Sequence, residues 1–171
     1  MLIIRPEKPQ DIEVIHEVNV LAFGRDNEAL LVDALRRSAA FIPELSLVAE
    51  EDGQVIGHIL FSRIRIVGRD KCFPALALAP MAVRPDRQRR GIGSALVQMG
   101  LEEAFELGHA VAIVLGHPQF YPRFGFRPAA DIGIQAPFEV PARAFMVCVL
   151  DPDALVGFAG VVEYPVEFSG V

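Results

Sequence analysis

The chain has 171 residues, 52% hydrophobic and 22% charged, with a formal net charge of -6. That balance describes a folded domain with a sizeable core and excludes a disordered or low-complexity chain. The acidic sum speaks against general nucleic-acid binding but permits a local basic patch.

Leu2 to Arg5 is a short apolar segment before Pro6 and reads as a first strand. Pro9, Gln10 and Asp11 open a helix, with proline tolerated in its first turn. Ile12, Ile15, Asn19 and Ala22 share one face of it. Gly24 can end this helix, and Asp26 or Asn27 can cap the next. There Leu30, Leu31, Ala34 and Leu35 form an apolar stripe. His16, Asn19, Arg25, Asp26 and Glu28 read as solvated surface.

Glu44 to Glu51 reads as a strand that turns at Asp52-Gly53, a hairpin signal. Gln54 to Val67 forms the second arm of a meander. After a turn at Gly68-Arg69-Asp70, Phe73 to Val83 forms the third. Pro80 within that arm cannot donate a ladder bond, so it marks an edge or a bulge. A bulge there would splay the strand from a neighbour and free backbone groups.

The stretch LALAPMAVRPDRQRRGIGSAL, residues 76 to 96, joins the end of this strand to a glycine turn and a helix start. A helix N-terminus presents unpaired N–H groups and a positive dipole end, and glycines let a ligand approach closely. With arginines beside it, the stretch describes a phosphate site. The strict dinucleotide and P-loop fingerprints are absent. The helix runs to about Leu107 and stops at Gly108. Ala110 to Leu115 is a buried strand, reached by a right-handed parallel crossover. A short helical segment spans Gln119 to Phe124, Gly133 to Pro141 reads as a loop, and Arg143 to Leu150 is another strand. Beyond Asp151 a helical turn and a strand around Val161 to Tyr164 are expected. Residues 1–171 read as one domain. Residues 151–171 form an extension that packs on it or joins a homodimer.

Cys72 and Cys148 sit in apolar runs and read as buried free thiols, at no metal-ligand spacing. The opening MLIIRPEKPQDIE lacks a signal-peptide core, and no run approaches the ~18 apolar residues of a membrane span. A cytoplasmic protein is the expectation, without nucleic-acid or membrane partners.

Gln88-Arg89-Arg90-Gly91-Ile92-Gly93 fits the acetyl-CoA pattern (Q or R)-x-x-G-x-(G or A), and Phe120-Tyr121-Pro122-Arg123-Phe124-Gly125-Phe126 fits Y-x-x-x-G-F. With the element order from Leu2 to Leu150, these segments resemble the GNAT superfamily, the GCN5-related N-acetyltransferases. The wording GHPQFYPRFGFRPA is similar to the bacterial YhbS-like subgroup. The resemblance implies an α+β, mixed α/β fold, with a mostly antiparallel central sheet, helices on both faces and a bulged, splayed central strand pair.

It also implies an acetyl-CoA-dependent N-acetyltransferase, with direct attack by a primary amine in a ternary complex and no metal. The alternative is a non-catalytic acyl-CoA sensor on the same fold. By the resemblance, backbone groups of Gln88, Arg89, Arg90, Gly91, Ile92, Gly93 and Ser94 receive the pyrophosphate. Arg89 and Arg90 add charge, with Arg84 or Arg87 as further candidates. Met81, Ala82 and Val83 line the pantetheine arm, and an N–H near Ala82 stabilises the oxyanion. Tyr121 and Arg123 complete the cofactor set, and Tyr121 is the general acid. The strand from 73 to 83 carries no acidic residue, so a glutamate base does not transfer from the family. Candidate bases are His117, His58, Glu28, Glu50, Glu51 and a water chain. The two N-terminal helices and the 133–141 loop are where acceptor contacts are expected.

Overall fold

The computed structural model describes residues 1–154 and 157–170. The N-terminal half of the sheet is a meander of β1 (Leu2–Pro6), β2 (Ser46–Glu51), β3 (Gln54–Val67) and β4 (Cys72–Val83), each antiparallel to the last. β5 (Val111–Leu115) runs parallel to β4. β6 (Phe126–Pro128) and β5 both pair antiparallel with β8 (Phe145–Val149). The short β7 (Ile134–Gln135) pairs with β9 (Gly160–Glu163), which also adds to the far end of β3. The sheet order is β1-β2-β3-β4-β5-β8-β6.

Strand alternation divides the core between two faces. Leu47, Ala49, Ile59 and Phe61 join a cluster with Ile92, Leu96, Val97 and Leu101 of α3 (Ile92–Glu106). Val48 and Leu60 point the other way, against Ile15 and Val18 of α1 (Ile12–Phe23) and Val32 and Leu35 of α2 (Asn27–Arg36). α3 sits very close to the sheet. A Cβ on Gly100 would lie 2.2 Å from Phe61 Cε1. The β5–β8 end has its own cluster, which Phe158, Val162 and Phe168 help to cover.

The bulge expected at Pro80 is present. Ile59 pairs with Met81 and Phe61 with Leu78, so Ala79 and Pro80 together oppose Leu60. The Ala79–Pro80 peptide is cis. On the other side of β4 the ladder to β5 holds only at Leu76–Ala112 and Ala77–Ile113. From Leu78 to Val83 the two strands diverge.

Several local readings change. The buried face of α2 carries Glu28, Ala29, Leu31, Val32 and Leu35, whereas Leu30 is 53% exposed. The stripe is turned because Glu28 points inward. Asn19 is fully buried as well, so neither residue is solvated surface. Asp26 is the N-cap of α2 but makes no side-chain capping bond. The 133–141 loop contains β7. Cys72 is exposed and Cys148 buried, both as free thiols.

Candidate active site

Where β4 and β5 part, they open into a cavity of ≈ 1530 Å³. β4 contributes Ala77 to Val83, the end of β5 contributes Ile113 to Leu115, and Gly116, His117, Phe120 and Tyr121 form the adjoining wall. Among the described residues, the β4 backbone beyond Ala77 has no strand partner on this side. Its free N–H and C=O groups can pair with an extended ligand arm, as an added strand would.

The phosphate end is built at the start of α3. Gly91 is its N-cap, with φ +79°, and the first intrahelical bond runs from Ala95 N–H to the Gly91 carbonyl at 3.0 Å. The N–H groups of Ile92, Gly93 and Ser94 therefore face outward without a helical acceptor. Arg89 has φ +65°, a left-handed conformation uncommon for a side chain of this size. With Gly91 also at positive φ, such an alternation can turn successive N–H groups toward one anion.

The two glycines do different work. A Cβ on Gly91 would meet nothing within 4 Å, so that position faces open space where an anion could stand. A Cβ on Gly93 would lie 3.2 Å from Met81 Cε. Gly93 thus lets α3 approach β4. The arginines also separate. Asp86 accepts from Arg84 and Arg87, each at 3.0 Å, and Arg87 also pairs with Glu51 at 3.5 Å. Among the described residues Arg89 and Arg90 make no ion pair. The Gln88 side chain donates to the Val83 carbonyl at 3.0 Å, which ties the loop to the end of β4.

Met81, Ala82, Val83, Gln88, Arg89 and Tyr121 all line the cavity. Arg90, Gly91, Ile92, Gly93 and Ser94 continue the same turn just outside it. Arg123 stands apart. Its guanidinium covers the Phe120 ring at 4.6 Å and the Phe124 ring at 5.6 Å, and its Nε donates to the Phe120 carbonyl. No group of three or more His, Cys, Asp or Glu side chains is placed to hold a metal among the described residues.

Tyr121 is 7% exposed and tightly held. Phe120 and Phe126 stand edge-on to its ring at 5.0 and 5.5 Å. Its ring also covers Gly116, where a Cβ would lie 2.4 Å from Tyr121 Cε2. Burial pushes its phenol up to about 12, so it stays protonated and can donate. Gly116 was not among the residues singled out from the sequence, although it stands directly before His117. His117 is exposed and lines the same wall.

The other candidate bases lie elsewhere or are engaged. His58 is fully buried, and desolvation pushes its imidazole down to about 3. Glu50 pairs with Arg5 at 3.1 Å and Glu51 with Arg87, both away from the cavity. Glu28 does line it, but Arg25 Nε donates to its carboxylate at 2.9 Å and Arg25 Nη2 donates to the second oxygen. That guanidinium holds the Glu28 carboxyl below the usual carboxylate range, which makes it a poor base.

The profile of the Acetyltransferase (GNAT) domain matches residues 3–129. The chain belongs to the GNAT acetyltransferases. Among curated relatives, the N-acetyltransferase YhbS of Escherichia coli is 37% identical over 98% of this chain and 99% of its own length. The Escherichia coli N-acetyltransferase YjhQ is 41% identical over 77% of this chain and 73% of its own. Among solved structures, YhbS in complex with CoA superposes with a TM-score of 0.89, at 37% identity, over 98% of this chain and 91% of that one. A GNAT acetyltransferase from Brucella melitensis in complex with acetyl-CoA gives 0.80 at 36% identity, over 99% of both chains. The GNAT fold here is mixed, mostly antiparallel, with β4–β5 and the short β7–β9 as its parallel pairs, and the cavity lies at the splay between β4 and β5. No helix among the described residues is long and apolar enough to cross a membrane.

Proposed function

We propose that the chain transfers an acetyl group from acetyl-CoA to a primary amine by direct attack within one ternary complex. The observation that carries this is the single cavity in which the splayed β4 edge, the Gln88–Arg89 turn and Tyr121 meet. The residues fit the cofactor. The α3 N-terminus with Arg89 and Arg90 suits a pyrophosphate, and the free edge of β4 suits an amide-bearing arm. Acetyl-CoA supplies the activated thioester, and the chain supplies position and protons.

Direct attack is favoured because no cysteine lines the cavity among the described residues. The Cys148 thiol is buried, pushed up to about 11, and contacts the Phe124 carbonyl at 3.8 Å. It is a poor nucleophile. In the transfer a C–N bond forms and the C–S bond breaks. Tyr121 donates the proton that the departing thiolate needs. His117 takes a proton from the attacking nitrogen. Each turnover converts an ammonium ion and a thioester to an amide and a free thiol. Of the two protons that leave nitrogen, one in effect replaces the proton given by Tyr121 and one is released to solvent. An N–H near Ala82 donates to the carbonyl oxygen as it gains charge.

The test is acetyl-CoA-dependent CoA release over a panel of amines, with both substrates varied. Intersecting double-reciprocal lines are expected. Parallel lines would point to a covalent acyl-enzyme and overturn direct attack. Binding of acetyl-CoA with no turnover of any amine would favour a non-catalytic sensor. His117→Ala is expected to lower kcat while retaining acetyl-CoA affinity. An unchanged kcat would assign that proton to water.

A further inference from the structure

The cavity has a second half, beyond the bulge from the phosphate turn. It is walled by the end of α1, the start of α2, the 137–138 loop and the chain from β9 to Ser169. Its aromatic wall is preassembled. The Phe138 and Tyr164 rings stack at 6.1 Å and 15°, and Tyr164 meets Phe168 at 4.9 Å. Phe138 also stands edge-on to Phe145 at 6.3 Å. The rim is apolar as well, since Phe23, Phe138, Val161 and Val166 are 39, 45, 41 and 80% exposed while lining the opening. Large apolar side chains left in water around a concave site mark a binding surface.

The charges of this half are already matched. Glu28, 6% exposed, is engaged by Arg25, and Glu163 is hydrogen-bonded to Arg65. No other ionic side chain lines this half among the described residues. A polyamine or an aminoglycoside would need several unmatched carboxylates, and an anionic acceptor would need an unmatched cation. Glu28 still has lone pairs beyond its two bonds to Arg25, enough to receive a single ammonium.

We infer that the acceptor is a small primary amine carried on an uncharged apolar body, with an arylalkylamine as the best fit. Its body lies against Phe138, Tyr164 and Phe168, and its nitrogen passes Glu28 toward the bulge at Met81 and Ala82. This inference rests on the acetyl-transfer reading and adds the acceptor class to it.

The test compares kcat/KM for 2-phenylethylamine and tyramine with kcat/KM for spermidine and free lysine. Acetyl-CoA affinity is measured separately by calorimetry. The arylalkylamines are expected to lead by at least about tenfold, the discrimination an apolar pocket gives for a few matched carbon groups. Phe138→Ala changes a half-exposed residue outside the cofactor half. It is expected to raise KM for 2-phenylethylamine about tenfold and leave the acetyl-CoA Kd within about twofold. Acetyl-CoA binding with spermidine or lysine preferred would overturn the acceptor class and leave acetyl transfer standing. Acetyl-CoA binding with no amine turned over would overturn both. Octanoyl-CoA binding at least about tenfold tighter than acetyl-CoA, with the gain lost in Phe138→Ala, would make this half an acyl pocket and overturn the inference.

Discussion

Tyr121 and Gly116 act as one unit, and each can be tested through the other. The phenol remains protonated because burial raises it to about 12, and among the described residues no hydrogen bond engages its hydroxyl. Tyr121→Phe is expected to lower kcat by roughly 10²–10⁴-fold, the usual range for a general acid or base, with acetyl-CoA affinity nearly unchanged. A wild-type kcat would remove Tyr121 from the mechanism. Gly116→Ala should mimic part of this loss, because its Cβ would overlap the ring at 2.4 Å and push the hydroxyl out of line. The double variant should then cost little more than Tyr121→Phe alone, since both changes act through one group. Full additivity in kcat would show that Gly116 acts independently. In the sequence, the role proposed for Tyr121 came from the resemblance of its spacing to Gly125 to the family's Y-x-x-x-G-F segment. Gly116 could not be paired with it there, because only the folded turn brings the ring over that backbone.

The phosphate turn depends on elements meeting rather than on any one side chain. Gly91 has φ +79° and faces open space, and Gly53 in the β2–β3 hairpin has the same φ and equally open surroundings. Alanine at either site carries a left-handed penalty of about 1–2 kcal/mol. Both variants should therefore melt lower by a similar amount. Only Gly91→Ala should weaken acetyl-CoA binding, by about tenfold, because its methyl stands before the α3 N-terminus. Equal Kd values for the two variants in calorimetry would remove Gly91 from the phosphate site. The bulge in β4 was legible because proline cannot join a ladder. The inward turn of α2 was not. Glu28 reads as polar surface until Arg25, three residues earlier, is seen to hold it. For the proposed acceptor wall, the sequence pointed to the N-terminal helices and the 133–141 loop, but the share of β9 was hidden, since it depends on pairing with β3, far apart in sequence, around Arg65 and Glu163.

Across the whole molecule, α1, α2 and the sheet are joined by a buried polar chain that should govern acid stability. Arg36 donates to Glu7 at 2.8 and 3.1 Å, and Ser46 Oγ donates to Glu7. Since that carboxylate only accepts, the Ser46 proton is committed, and Ser46 Oγ must accept from His58 Nε2 at 3.0 Å. His58 is therefore the neutral Nε2–H tautomer, with Nδ1 left to accept from Asn19 Nδ2 at 3.5 Å. Asn19 Nδ2 also donates to the Ile15 carbonyl, and Asn19 Oδ1 is buried without a partner among the described residues. A proton added to His58 would face the Asn19 donor in a dry site, with the Arg36 cation adding repulsion. The folded imidazole thus titrates near 3, against 6.5 when unfolded. Below about pH 6.5 the unfolded chain takes up a proton that the folded chain refuses. Stability is full above that pH and falls toward pH 3, by about tenfold in the folding constant per unit. His109 is also lowered by burial, whereas Asp11 and Glu28 are lowered by their arginines and lose their contribution only in stronger acid. Denaturant melts of wild type and His58→Gln between pH 7 and 4.5 separate these contributions. The glutamine amide can keep a donor toward Ser46, so the variant should be less stable at pH 7 yet show a flatter decline. Parallel declines would place the acid sensitivity outside this chain of side chains and leave His58 as packing alone.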